Sequence, residues 1–332
     1  MRYSVIIGVL VLVLGWVAGA AVAAEDKKPA PVEVRVFHAA GWTQFLELAR
    51  ADAERDLNIR ILAEGGGSQA VARKITELGR RCDLVVLADA ELFGRLLSGV
   101  CPHYTEFATD EIVIGVGSRA PRVAEAETDW VRVLLRPEVK LGRADENLSP
   151  MGYRTLMAWQ LQARHSGPLD LADRLQRKCL PLVDDVSRLP PLLHNGDLDY
   201  AFLYRSTAAG CDLRSIELDA AVNLGDPAAD YRGAAVTFIR LKAGAPETVR
   251  IAGGPVLWAL AVPENALQPE AAARLAEYLA VKRADLLKRC GFRPLSPVRR
   301  EARGGQGSGF GVQGKPGEGT GAVGNGKTEE WK

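Results

Sequence analysis

Ile59-Arg60-Ile61-Leu62-Ala63-Glu64-Gly65-Gly66-Gly67-Ser68-Gln69-Ala70-Val71 is the stretch on which the fold turns. The apolar run Ile59–Ala63 reads as a strand. The amphipathic spacing of Val71, Ile75 and Leu78 reads as a helix, and three glycines with Ser68 as N-cap join the two. Upstream lie an apolar-ended strand, Val32–Phe37, and a helix over Trp42–Asp56; downstream comes a short buried strand, Leu84–Leu87. Strand, helix, strand, helix and strand at such intervals imply a parallel sheet covered by helices.

A second segment has the same character. In Ser149-Pro150-Met151-Gly152-Tyr153-Arg154, serine suits the N-cap and proline the first helical position. A helix start exposes unpaired N–H groups and the positive end of the dipole, so two such starts facing one another can hold a small anion without a basic side chain. Neither motif is a phosphate loop, since no Gly-Lys-Ser/Thr follows, and GxGxxG is absent.

Ile112–Val116 opens a second lobe. Helices over Trp130–Leu135, Pro150–Ala163, Leu169–Lys178 and Asp185–His194 surround a strand at Asp199–Tyr204. Val236–Leu241 and Val256–Val262 are strands leading back, and Pro269–Leu279 and Ala284–Cys290 are closing helices ended by Gly291. The division expected is residues 32–110 with 264–300 for the first lobe and 111–263 for the second.

Residues 1–24 have the form of a signal peptide: Arg2, the apolar Val5–Val17, then small residues to Ala24. The apolar run is short for a bilayer span, which needs about 20 residues, so cleavage and export to the periplasm are expected over an uncleaved anchor. Residues 301–332 form a glycine-rich tail with too little apolar content to fold. The 332-residue chain has 42 basic and 41 acidic side chains, interleaved, a balance that argues against a nucleic-acid partner. Five cysteines (Cys82, Cys101, Cys179, Cys211, Cys290) allow up to two disulfides with one thiol over, and their pairing is open. The four scattered histidines suggest no metal site, and no cofactor is implied.

Single segments admit plainer readings. Phe37-His38-Ala39-Ala40-Gly41-Trp42 is either an ordinary strand-to-helix turn, with His38 structural, or a close approach of backbone to ligand. Asp197, within Asn195-Gly196-Asp197-Leu198-Asp199-Tyr200, is either a turn residue or a cleft carboxylate. Tyr204, ending the following strand, either packs or donates its hydroxyl. Their common placement at strand C-termini or helix starts is the ligand-binding edge of an open α/β sheet.

Taken together these segments resemble the tungstate/molybdate-binding proteins that serve ABC transporters, especially the archaeal-type tungstate binders. The resemblance rests on Val36–Ala39, Glu64–Ser68, Ile75–Arg80 with Ala88-Asp89, Leu135–Val139, Pro150–Met157, Gly196–Ser206 and Leu224–Pro227. It implies a two-lobed type II periplasmic binding protein, an α/β fold with a mixed, mostly parallel sheet flanked by helices in each lobe, and an anion in the cleft between them. It further implies a transporter permease as partner; a monomer is expected. The family's serine after the first strand falls at about Gly41, and its aspartate before the proline falls at Ser149, so both side chains are missing here. Asp197 stands where the family has an acid reaching the central metal atom of the oxyanion. With the other carboxylate gone, a tetrahedral oxyanion held by hydrogen bonds is expected in place of six-fold coordination.

The site expected on this reading comprises the backbone of Ala40, Gly41 and Gly67, the Ser68 hydroxyl, Ser149 with the N–H groups around Met151 and Gly152, Asp197 and Tyr204. The function expected is capture of molybdate or tungstate for transport, without catalysis. A binder of another oxyanion, or a sensory receptor on the same fold, is the alternative; an enzyme fits less well, because no nucleophile–base pair is recognisable.

Overall fold

The computed structural model describes residues 29–302 except 181 and 243. Alternation sets the first strand, β1 (Val32–Ala39), whose Val34 and Val36 are fully buried while Glu33 and Arg35 face out. It runs parallel to β2 (Ile59–Gly66) on one side and to β3 (Leu84–Leu87) on the other. Helix Thr43–Leu57 closes the first crossover by burying Phe45, Leu46, Ala49 and Ala53, and it stops at Asn58, which takes a left-handed conformation at φ 52°. Helix Ser68–Thr76 closes the second by burying Val71, Ala72 and Ile75.

The strand before the glycines is longer than its apolar run. β2 continues through Gly66, with Gly65 opposite His38 in register. A Cβ on Gly65 would lie 3.0 Å from the His38 ring, so glycine lets the pairing run to the strand end.

The first sheet has six strands in the order β13-β4-β12-β3-β1-β2, with β4 at His103–Asp110, β12 at Val256–Ala261 and β13 at Arg293–Glu301. The second has five in the order β7-β6-β8-β5-β9: β5 Ile112–Val116, β6 Leu141–Ala144, β7 Leu182–Val183, β8 Tyr200–Tyr204 and β9 Ser215–Glu217. β10 (Ala235–Lys242) and β11 (Ala245–Ala252) form a separate hairpin. Both sheets are mixed, and antiparallel pairings weigh more than the strand–helix repeat implies. β12 is antiparallel to β3 and β4, β13 to β4, and β5 to β8 and β9.

One expectation is corrected, and one element is added. Val256–Ala261 falls inside the segment 111–263 assigned to the second lobe, yet it is an inner strand of the first sheet; the chain returns to the first lobe at Gly254-Pro255. Arg293–Glu301 pairs along β4 as an edge strand, a place where Pro294 and Pro297 are tolerated because no inner neighbour needs their missing N–H. No disulfide forms among the described residues: all five cysteines are free thiols, and burial pushes Cys82, Cys101 and Cys179 up to about 12. The leader over residues 1–24 and the segment from Gly304 lie outside the described residues.

The lobes join where β4 passes into β5 with only Glu111 between. Ile112 N–H donates to Asn223 O (2.8 Å) and Val256 N–H to Leu224 O (2.8 Å), so both crossings are tied to one segment. Asp110 sits at this junction, fully buried, accepting from Glu111 N–H, Ser206 N–H and the Ser206 hydroxyl. Burial pushes its carboxyl up to about 7, outweighing the Ser206 bonds that pull it down. An acid raised in the fold stabilises it fully below its unfolded pKa of about 4, and this contribution is lost as pH rises through about 7. Asp110→Asn, which mimics the neutral acid, is therefore expected to melt close to wild type near pH 4. Its advantage should widen toward neutrality; melting curves across that range check this.

Candidate functional site

The cleft walls are built by chain that leaves the C-terminal ends of strands. On the first lobe, Gly67 at φ −61°, ψ 142° is the N-cap, which makes Ser68 the first helical residue and not the cap itself. Ser68 is fully buried, and its Oγ accepts from Ala88 N–H (3.1 Å), leaving the hydroxyl proton to donate elsewhere. On the second lobe, Ser149 is the N-cap of helix Pro150–His165 in extended conformation, and its hydroxyl makes no capping bond. Gly152 is pressed against the strand end, since a Cβ there would lie 2.4 Å from the backbone of Asp145. The Met151 side chain belongs to the hydrophobic core, so only its backbone is left for the cleft.

The two walls touch. A Cβ on Gly67 would meet Leu148 O at 2.1 Å and Asp184 O at 3.1 Å, so the third glycine of the run is what lets the second lobe close on the first. Gln69 Nε2 donates across the cleft to Glu146 O (2.9 Å). The turn Ala40–Trp42 packs against the turn Val186–Arg188 and the short helix Arg205–Gly210 of the second lobe. Hairpin β10–β11 straps the rim: Ile239 N–H donates to Asn147 Oδ1 (2.9 Å), and Arg240 Nη1 to Arg95 O (2.6 Å).

Between the walls lies a buried ion pair that sequence reasoning did not single out. Arg154 Nη2 lies 2.8 Å from Asp89 Oδ2, with side chains 4% and 3% exposed, and also reaches Pro255 O; Nη1 donates to Gly254 O. The Tyr153 hydroxyl donates to the same carboxylate oxygen. Burial is the largest influence and opposes the guanidinium's charge, but Asp89, Tyr153, Tyr204 and Glu91 together outweigh it and the pKa is raised. The signal was present in the sequence only as Ala88-Asp89 and Tyr153-Arg154, two dipeptides whose juxtaposition no local pattern predicts.

Tyr204 ends β8 with its ring against Trp258 (5.8 Å between centroids), and its hydroxyl is buried without a protein partner. Burial raises its pKa far above the usual phenol range, so it stays a donor. Thr207 Oγ1 and Trp258 Nε1 are orphaned in the same way. Gly41 sits beside both, its Cβ position 3.3 Å from Thr207 Oγ1 and 3.3 Å from the Trp258 ring edge. Ala40 O is taken by the Thr43 hydroxyl (2.7 Å). His38 is structural: its Nδ1 bonds Ala39 O, and burial lowers its pKa.

Asp197 is not part of this assembly. It is exposed, follows the left-handed Gly196 (φ 76°), and its N–H closes the turn onto Leu192 O (2.9 Å). It precedes β8 at the end opposite Tyr204, roughly 20 Å away at ~3.3 Å per residue. Its turn-residue reading is the one the geometry bears. Glu64 is likewise turned outward, held by Arg80 and Lys74, which lower its carboxyl to about 2. Among the described residues no cluster of three or more His, Cys, Asp and Glu could hold a metal ion.

Two lobes joined at paired crossings, with backbone turns and buried hydroxyls between them, have the fold of a type II periplasmic binding protein. The chain belongs to the bacterial extracellular solute-binding protein family, whose model matches residues 34–293. It is 36% identical over 237 residues to a putative ABC transporter molybdenum-binding protein of Haloferax volcanii, covering 70% of this chain and 73% of that one. It is 27% identical over 254 residues to the molybdate/tungstate-binding protein of Pyrococcus abyssi, covering 66% and 72%. Among solved structures, the periplasmic molybdate-binding protein of Azotobacter vinelandii superposes with a TM-score of 0.57 at 13% identity, covering 78% of this chain and 98% of that one; this likeness shows the fold alone.

Two substitutions probe the closure. Gly67→Ala is expected to hold the lobes apart, raising the radius of gyration in small-angle scattering while the far-ultraviolet circular dichroism is unchanged. Asp89→Ala strands Arg154 in the interior and is expected to cost about 3–5 kcal/mol in urea unfolding.

Proposed function

We propose that this protein captures a divalent tetrahedral oxyanion of the molybdate or tungstate type between its lobes and presents it to a membrane transporter. The observation that carries the reading is the set of neutral donors buried in the cleft: the unpartnered Tyr204 hydroxyl and the spare proton of Ser68, beside the uncapped helix start at Ser149. A binding protein must release its ligand, and neutral donors supply directionality without the residual attraction of an unpaired cation. Hydrogen bonds to a charged partner contribute roughly 1.5–3 kcal/mol each. Five or so, less the cost of association and closure, are compatible with sub-micromolar affinity.

The cleft also favours a fully deprotonated anion. Asp89 is occupied by Arg154, Tyr153 and Glu91 N–H, and Asp110 by Ser206 and Glu111 N–H. Neither carboxylate is therefore free to accept the hydrogen that phosphate carries near neutrality. The molybdenum- and tungstate-binding names borne by relatives of this chain support the same ligand class. Export to the periplasm by a cleaved leader, a monomeric state, a permease partner and the absence of catalysis complete the reading.

Thermal unfolding of the leader-free protein with molybdate, tungstate, sulfate, phosphate and thiosulfate tests it. At 100 times its dissociation constant a ligand adds about 2.7 kcal/mol to stability, so molybdate or tungstate should raise the melting temperature clearly. A response to phosphate alone, or to no anion, overturns the proposal.

A further inference from the structure

Thr207 lies in the short helix Arg205–Gly210, which the second lobe presents to the Ala40–Trp42 turn of the first. It is 7% exposed, and its hydroxyl is fully buried without a partner. That is unusual for a helical threonine, which ordinarily satisfies its hydroxyl on a carbonyl of the preceding turn. Thr155 does so on Met151 O (2.7 Å) and Thr76 on Ala72 O (3.1 Å). Opposite Thr207 stands a residue with no side chain: a Cβ on Gly41 would come within 3.3 Å of Thr207 Oγ1. Trp258, whose ring edge borders the same point and which packs against Tyr204 and Phe292, walls it with apolar surface.

We propose that Thr207 is a ligand-binding residue: its hydroxyl, facing the bare backbone of Gly41 across the cleft, donates a hydrogen bond to the bound oxyanion. The assignment rests on the anion reading above and adds a donor from the second lobe. Tyr204 approaches from the same lobe three residues earlier, so the strand end and the first turn after it deliver two neutral donors to one ligand. Both stay protonated alcohols over the physiological range, so their contribution does not titrate. Because Thr207 Oγ1 is committed to no protein acceptor, its proton is free to follow the anion, whereas a carboxylate or amide at this point would bring an acceptor against negative charge.

The test is calorimetric titration of molybdate and tungstate into wild type, Thr207→Val and Thr207→Ser, with melting of each ligand-free protein alongside. Valine keeps the shape and removes the donor; serine keeps the donor. Thr207→Val is expected to bind about tenfold or more weakly, as loss of a hydrogen bond to a charged partner requires. Thr207→Ser should stay within about threefold, and ligand-free Thr207→Val should melt no lower than wild type, since the hydroxyl has no partner to lose. Undiminished binding by Thr207→Val, or a lowered ligand-free melting temperature in that variant, overturns the assignment. Wild-type protein that binds neither anion, nor sulfate nor phosphate, overturns the anion reading and this assignment together. Wild-type binding with Thr207→Val unaffected overturns this assignment alone.

Discussion

A single buried ion pair decides how the two lobes meet. Asp89 leaves the end of β3 in the first lobe, and Arg154 lies in the first turns of the helix that begins at Ser149 in the second. Their contact draws that helix start toward the cleft, while the guanidinium's remaining bonds to Gly254 O and Pro255 O fasten it to the strand by which the chain returns. Desolvating two charges costs several kcal/mol per ion, so such a pair holds only when its other hydrogen bonds are made. Tyr153 and Glu91 N–H on Asp89, and the carbonyls on Arg154, largely meet that condition. The rest of the closed arrangement follows from it: Gly67 can approach Leu148, Gln69 can reach Glu146, and the hairpin can lie across the rim.

The same pair also sets the electrostatics of the cleft. Asp89 pairs with Arg154, so the guanidinium is not left between the lobes as an unpaired cation. Recognition then falls to geometry, through buried hydroxyls and helix-start N–H groups whose orientation the core fixes. Tyr204 and Thr207 are held by packing in place of a polar partner, and Ser68 by packing and the Ala88 N–H. A site of this kind distinguishes anions by size and by protonation more than by charge.

Much of this was legible in the sequence. Alternation in Val32–Ala39, helical spacing after Ser68 and the Ser149-Pro150 start each rest on local rules that the three-dimensional environment did not override. What escaped was non-local. Asp89 and Arg154 are 65 residues apart, and nothing near either announces the other. Asp197 is expected in the cleft because the family resemblance sets an acid at that position, but it lies at the end of β8 away from Tyr204. Val256–Ala261 reads as a strand in any sheet, and only its pairing with β3 and β4 assigns the lobe. Arg293–Glu301, with its two prolines, reads as no element in the sequence, and only its pairing with β4 at a sheet edge makes it a strand. Thr207 carried no signal at all: its meaning comes from a glycine in the other lobe.

The central claim is that a tetrahedral oxyanion sits between the lobes on neutral donors alone. Crystallography of the tungstate-loaded protein, with the anion located by the anomalous scattering of tungsten, tests this most directly. The account predicts one tungsten peak between the Gly67-Ser68 turn and the Ser149–Gly152 helix start, four-coordinate, within hydrogen-bonding distance of Ser68 and Tyr204. A peak outside the cleft, or a six-coordinate tungsten bound by carboxylate oxygens of this chain, would contradict it.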